Sequence, residues 1–145
     1  MSTTTPPESP ALGAAYRIEA RIAAPLADVW AAIRDVGAVH KRLSPGFAVD
    51  TVLKDGVRTV TFVNGMVVTE TIISLDDENH RLGYGATGER VSFHFASLEV
   101  VADGDGTRLI WTTDVRPKEM ISQIGPMMEQ GAAVMKKTLE AAPRS

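Results

Sequence analysis

The chain has 145 residues, a net charge of −3 and no cysteine; 44% of it is hydrophobic and 23% charged. That length suits one domain with a core of its own. The absence of cysteine excludes disulfides, a thiolate metal site and a cysteine nucleophile, and fits a reducing, cytoplasmic setting. A mildly acidic chain has no overall attraction to nucleic acid or to an anionic membrane. No apolar stretch approaches the roughly 20 residues needed to insert across a bilayer.

Residues 1–12 read as a disordered tail: the first ten are rich in Ser, Thr and Pro, and Glu8 is their one charged side chain. They lack the basic and apolar regions of a signal peptide. Residues 13–142 read as one domain. Residues 15–22 alternate, with Tyr16, Ile18, Ala20 and Ile22 on one side and Arg17, Glu19 and Arg21 on the other, which predicts a half-buried strand. Pro25 suits the first position of a helix, where its missing N–H costs nothing. Asp28 falls in the first turn, where negative charge is favoured. Val29, Ile33 and Val36 share a face beside Trp30, and Gly37 ends the helix. A second short helix is expected over 38–43, before the Ser44-Pro45-Gly46 break.

Six strands are then expected, at 47–54, 57–63, 66–75, 81–87, 91–101 and 107–115. Asp55-Gly56 and Asn64-Gly65 predict two-residue hairpin turns, since both central positions tolerate positive φ. Residues 76–80 form an acidic turn, and 103–106 (Asp-Gly-Asp-Gly) another hairpin loop. Consecutive hairpins imply an antiparallel meander. From Pro117 to Ala141 the period becomes helical: Met120, Ile124, Met127, Gly131, Val134 or Met135, and Thr138 fall three or four apart. Pro126 inside that run removes a helical hydrogen bond and crowds the preceding turn, so a kink is expected at Gly125-Pro126, or a short helix followed by a longer one.

Strand, two short helices, six strands and a long terminal helix: this order resembles the helix-grip fold of the START-like superfamily, also called SRPBCC. Three stretches carry the resemblance: Ile22-Ala23-Ala24-Pro25-Leu26-Ala27-Asp28-Val29-Trp30, Glu70-Thr71-Ile72-Ile73-Ser74-Leu75-Asp76-Asp77-Glu78, and Gly106-Thr107-Arg108-Leu109-Ile110-Trp111. Together they look most like the bacterial polyketide-cyclase/dehydrase-type branch. The resemblance implies an α+β fold in which a curved antiparallel sheet of about seven strands wraps the C-terminal helix. It also implies a cavity for an apolar or amphipathic small molecule. Superfamily members bind, carry or transform such molecules, and the fold does not choose among these activities.

Two polar residues are candidates for proton transfer or ligand orientation. Glu70 shares a strand face with Met66, Val68 and Ile72. In one register the face lines the cavity and burial raises the carboxyl pKa unless a cation or water compensates; a slip of one residue puts Glu70 in solvent. His94 interrupts the run Ser92-Phe93-His94-Phe95-Ala96. If Val101 pairs with Arg108, His94 joins Leu98, Leu109, Trp111 and Val115 inside; if not, Phe93 and Phe95 take the inner side. Tyr84 and Trp111 offer large rings with one polar handle each, as a pocket wall needs. Ile124, Met127, Met128 and Met135 give the helix an adaptable apolar face, and Gly131 leaves room on it. The glycines of Leu82-Gly83-Tyr84-Gly85 suggest a bulge or a close approach of neighbours. Thr87-Gly88-Glu89-Arg90 reads as a flexible loop at the cavity mouth.

The three histidines lack metal-ligand spacing, and no Walker, nucleophile-elbow or dinucleotide motif occurs, so no metal or cofactor is expected. The expected function is binding of a small hydrophobic or aromatic ligand by Val68, Glu70, Ile72, Tyr84, His94, Trp111, Ile124, Met127, Met128, Gly131 and Met135. The alternatives are a cyclase or dehydratase using Glu70 or His94, and a homodimer paired through Phe93 and Phe95.

Overall fold

The computed structural model describes residues 12–87 and 91–145. The expected tail therefore lies outside the described residues except for Leu12, as do residues 88–90 of the expected loop. The elements are β1 (Ala14–Ile22), α1 (Leu26–Arg34), a short π-helical turn (Val39–Leu43), β2 (Ala48–Lys54), β3 (Val57–Phe62), β4 (Val67–Asp76), β5 (Arg81–Thr87), β6 (Phe93–Asp103) and β7 (Gly106–Arg116). A 3₁₀ turn (Lys118–Met120) leads into α2 (Ile121–Ala141).

One seven-stranded sheet has the order β1-β7-β6-β5-β4-β3-β2, and every neighbouring pair is antiparallel. The meander predicted from the turn residues is therefore present, with β1 closing onto β7. This is the α+β helix-grip architecture: a curved antiparallel sheet with a long C-terminal helix. Among the described residues, no helix is long and apolar enough to cross a membrane.

The turns show how local chemistry sets register. At Asp55-Gly56 both residues have positive φ, 53° and 76°, as a two-residue hairpin requires. Asn64-Gly65 differs from expectation: only Gly65 has positive φ, at 87°. Gly65 N–H donates to the Phe62 carbonyl, Phe62 N–H to the Met66 carbonyl, and Met66 N–H to Asn64 Oδ1. Asn64 thus serves as a side-chain acceptor while glycine alone takes the left-handed position, which lengthens the loop and shortens β3. Between β6 and β7, Asp103 pairs with Gly106 and Val101 with Arg108. That register sends His94, Ala96, Leu98 and Val100 to the inner face.

Helix α2 runs unbroken through Pro126, contrary to the expected kink or restart. Proline removes the one hydrogen bond its own N–H would have made; the ring is exposed and sits within the first two turns. Gly125 serves contact, not a break. A Cβ there would lie 3.2–3.5 Å from the Tyr16 ring, so glycine lets the helix rest on β1. Tyr16 Oη donates to Glu129 Oε1 at 2.7 Å across the same contact. Gly125→Leu is expected to destabilise by about 1–3 kcal/mol through overpacking, seen as a lower urea midpoint; an unchanged midpoint would show that the helix does not need this approach.

The far end of α2 is tied down as well. Lys136 Nζ donates to the Arg21 carbonyl at 2.6 Å, Glu140 Oε2 accepts from Ala23 N–H at 2.8 Å, and Arg144 Nη2 donates to the Ala23 carbonyl at 2.8 Å. The acidic turn after β4 anchors α1. Asp77 Oδ1 accepts from Trp30 Nε1 at 2.8 Å and from Arg34 Nε at 2.7 Å, and Oδ2 accepts from Arg34 Nη2 at 3.1 Å. The Arg34 and Trp30 hydrogen bonds hold the Asp77 carboxyl at a pKa of about 2.

The space between sheet and helices divides in two. At the α1 end it is solid: Ile22, Val29, Ile33, Leu82, Leu98, Val100, Leu109, Met135 and Leu139 form one buried cluster. At the other end the start of α2 rests on β1 through Ile18, Met128 and Ala132 but stands apart from β4, β5 and the start of β6. On the outer face, Phe93 is 50% exposed, while Phe95 lies over β5 with its ring against Gly83. The flanking glycines of Tyr84 thus leave room for outer-face neighbours as Tyr84 points inward.

Candidate functional site

The open end holds a cavity of about 460 Å³. Its size falls in the range of about 300–1,000 Å³ usual for small-molecule sites. Strand β4 contributes Val68 and Glu70, β5 Tyr84 and Ala86, β6 His94 and Ala96, and β7 Trp111 and Thr113. These are alternate residues on each strand, so they share the concave face. Met120, Gln123, Ile124, Met127 and Met128 close it from the helix side, and Phe47 and Phe62 from the β2–β3 side. Met66 and Val67, 41% and 57% exposed, also border it.

The sheet register decides both open orientations. Glu70 pairs directly with Arg58 of β3, and both side chains turn inward. Glu70 Oε1 accepts from Arg58 Nε at 2.6 Å, with side-chain exposures of only 12% and 4%. Burial of the carboxylate is thus compensated by a cation, one of the two possibilities weighed from the sequence. Arg58 Nη1 also donates to the Val36 carbonyl at 3.4 Å, and the guanidinium lies 4.9 Å from the Tyr84 ring centroid. Tyr84 Oη accepts from Trp111 Nε1 at 3.1 Å. Burial, then the Glu70 charge, pushes the Tyr84 pKa well up against smaller opposing effects of Arg58 and Trp111, so its hydroxyl stays protonated.

His94 stands opposite Val115 on the inner face. Its imidazole has no hydrogen-bond partner among the described residues, and burial lowers its pKa. Thr113 is already engaged, its Oγ1 donating to the Phe95 carbonyl at 3.2 Å.

The family described as "Polyketide cyclase / dehydrase and lipid transport" matches residues 14–141. The chain belongs to this family. No curated protein sequence matches the chain at a significant level. Among solved structures, protein XoxI from Bacillus cereus superposes with a TM-score of 0.78 at 14% identity, covering 88% of this chain and 96% of that one. An uncharacterised protein from Bacillus thuringiensis gives the same TM-score and identity, covering 87% and 98%. Norcoclaurine synthase from Thalictrum flavum, in complex with dopamine and hydroxybenzaldehyde, gives 0.69 at 22% identity, covering 92% and 91%. At these identities the structures establish the shared fold.

Of the eleven ligand-site residues expected from the sequence, Val68, Glu70, Tyr84, His94, Trp111, Ile124, Met127 and Met128 converge on the cavity of this polyketide-cyclase-family chain. Three lie elsewhere. Ile72 packs on the solid core, because the sheet face it shares with Glu70 runs out of the hollow toward α1. Met135 is buried in that core, two helical turns beyond Met128. Gly131 does not leave room for a guest: a Cβ there would lie 3.3 Å from Phe47 and 3.5 Å from Trp111, whose rings use the space. Sequence reading did not single out the wall residues Phe47, Phe62, Ala86, Ala96, Thr113, Met120 and Gln123, and it missed Arg58. Its signal was present, since Arg58, Val60 and Phe62 alternate on one face of β3.

The lowered His94 pKa sets a pH dependence. The unfolded imidazole takes up a proton near its ordinary value of 6.5, whereas the folded one resists until lower pH. Its stabilising contribution is present above the unfolded value and is lost as pH falls toward the folded value. The protein should lose more stability than His94→Gln between about pH 7 and pH 5, measured as urea midpoints. Parallel losses would show that His94 does not titrate differently on folding.

Proposed function

We propose that this chain binds a small hydrophobic or aromatic molecule in the cavity between the sheet and α2, and does so in the reducing cytoplasm. One observation carries the proposal: a hollow of about 460 Å³, walled mainly by aromatic, aliphatic and methionine side chains, beside a closely packed core. Apolar burial supplies affinity at about 25 cal/mol per Å² before entropy costs. A few inward polar groups orient the guest. The family description and the complex of norcoclaurine synthase with two small aromatic molecules agree with a guest of this kind.

The test is native mass spectrometry of the protein from its own host, with thermal melts against a panel of small aromatic compounds. A co-purified small molecule, or ligand-dependent stabilisation, supports the reading. A clean apo mass with no shift across the panel counts against it.

A second reading is a cyclase or dehydratase. The unbonded imidazole of His94 favours it, because a neutral histidine facing the cavity can accept a proton from a bound substrate. Loss of turnover in His94→Ala or Glu70→Gln with ligand binding retained supports this reading; turnover unchanged in both removes it.

A further inference from the structure

The cavity's polar groups are unequal in what they offer a guest. Glu70 lines the hollow, while its partner Arg58 does not and is withdrawn behind it. The one hydrogen bond between them uses Oε1; Oε2 has no partner among the described residues. The arginine is occupied on its other sides by the Val36 carbonyl and the Tyr84 ring. The hollow therefore meets the acceptor end of the ion pair and not its donor end. Tyr84 Oη accepts from Trp111 and keeps its own proton to donate. Among the described residues the cavity wall carries no lysine or arginine.

From this arrangement we infer that the guest is a neutral, hydroxyl-bearing aromatic or polycyclic molecule, and that carboxylates of the same shape are rejected. The inference rests on the proposed binding function and narrows it. A hydroxyl can donate to Glu70 Oε2 and accept from Tyr84 Oη, satisfying both groups at once. An ether accepts but cannot donate, so it leaves the buried carboxylate oxygen unpaired, which is costly. A carboxylate places a second negative charge beside Glu70 with no lysine or arginine among the described wall residues to offset it. The rest of the molecule is apolar, to match Trp111, Ile124, Met127 and Met128.

Three probes of one shape test this by calorimetry at neutral pH: naphthol, methoxynaphthalene and naphthoate, substituted at the same ring position. Naphthol should bind at least about tenfold more tightly than either of the others, as expected when a hydrogen bond to a charged group is at stake. In Glu70→Gln the advantage of naphthol over naphthoate should shrink by about tenfold. Should that variant not fold, the comparison on the unaltered protein decides. Equal binding of all three, or naphthoate binding as tightly as naphthol, overturns the inference and leaves the binding function standing. Binding of none of the three overturns both.

Discussion

Replacing Arg58 with methionine should cost about 3–5 kcal/mol of folding stability, the usual penalty for leaving a buried charge without its partner. Methionine matches much of the arginine stem, so the loss reports charge and hydrogen bonding more than volume. Glu70, whose side chain is 12% exposed, loses the 2.6 Å bond from Arg58 Nε and has no other hydrogen-bond partner among the described residues. The Tyr84 ring loses the guanidinium at 4.9 Å. The double variant Arg58→Met/Glu70→Leu should recover most of the deficit, because removing both members of a buried pair is often near neutral. Urea unfolding of both variants gives the two numbers. A single variant that loses less than about 1 kcal/mol would place the pair in solvent-like surroundings. A double variant as unstable as the single would mean that packing, not charge, holds the site.

How much of this was legible in the sequence follows from the range of each physical signal. Local signals read well. The alternation of Tyr16, Ile18, Ala20 and Ile22, the Asp55-Gly56 turn and the spacing of Met120, Ile124 and Met127 each depend on neighbours a few residues away. They gave strands, hairpins and a helix face close to those observed. Signals that depend on a partner far along the chain read poorly. Gly125 and Pro126 looked like a break, because the Tyr16 ring that explains the glycine lies on β1. Gly131 looked like empty space, because the rings that fill it come from Phe47 and Trp111. The direction of Glu70 stayed open until the β3–β4 register set Arg58 across from it. Charge pairing across strands depends on register, and a slip of one residue reverses every side chain.

The two ends of the interior should answer mutation in opposite ways, and the contrast is large. Leu109 is fully buried in the solid cluster with Leu82, Leu98 and Leu139. Leu109→Ala removes its packing and leaves a void that rigid neighbours cannot close, at a cost of about 2–5 kcal/mol. Met127 borders the existing hollow, so Met127→Ala only widens a space that is already there; its cost should stay below about 1.5 kcal/mol, closer to a transfer term alone. Ala96 sharpens the contrast. It is 1% exposed, sits between Tyr84 and Thr113 in the sheet, and faces the cavity. In a packed core Ala96→Leu would overpack and cost about 1–3 kcal/mol. Here the position borders the hollow, so the longer side chain can turn toward it and stability should fall by less than that, while affinity for an aromatic guest falls at least about a hundredfold as its volume is taken. Thermal melts and calorimetry on the three variants read both quantities. If Ala96→Leu destabilised as much as Leu109→Ala, that end of the interior would be filled in solution, leaving the guest no place to enter.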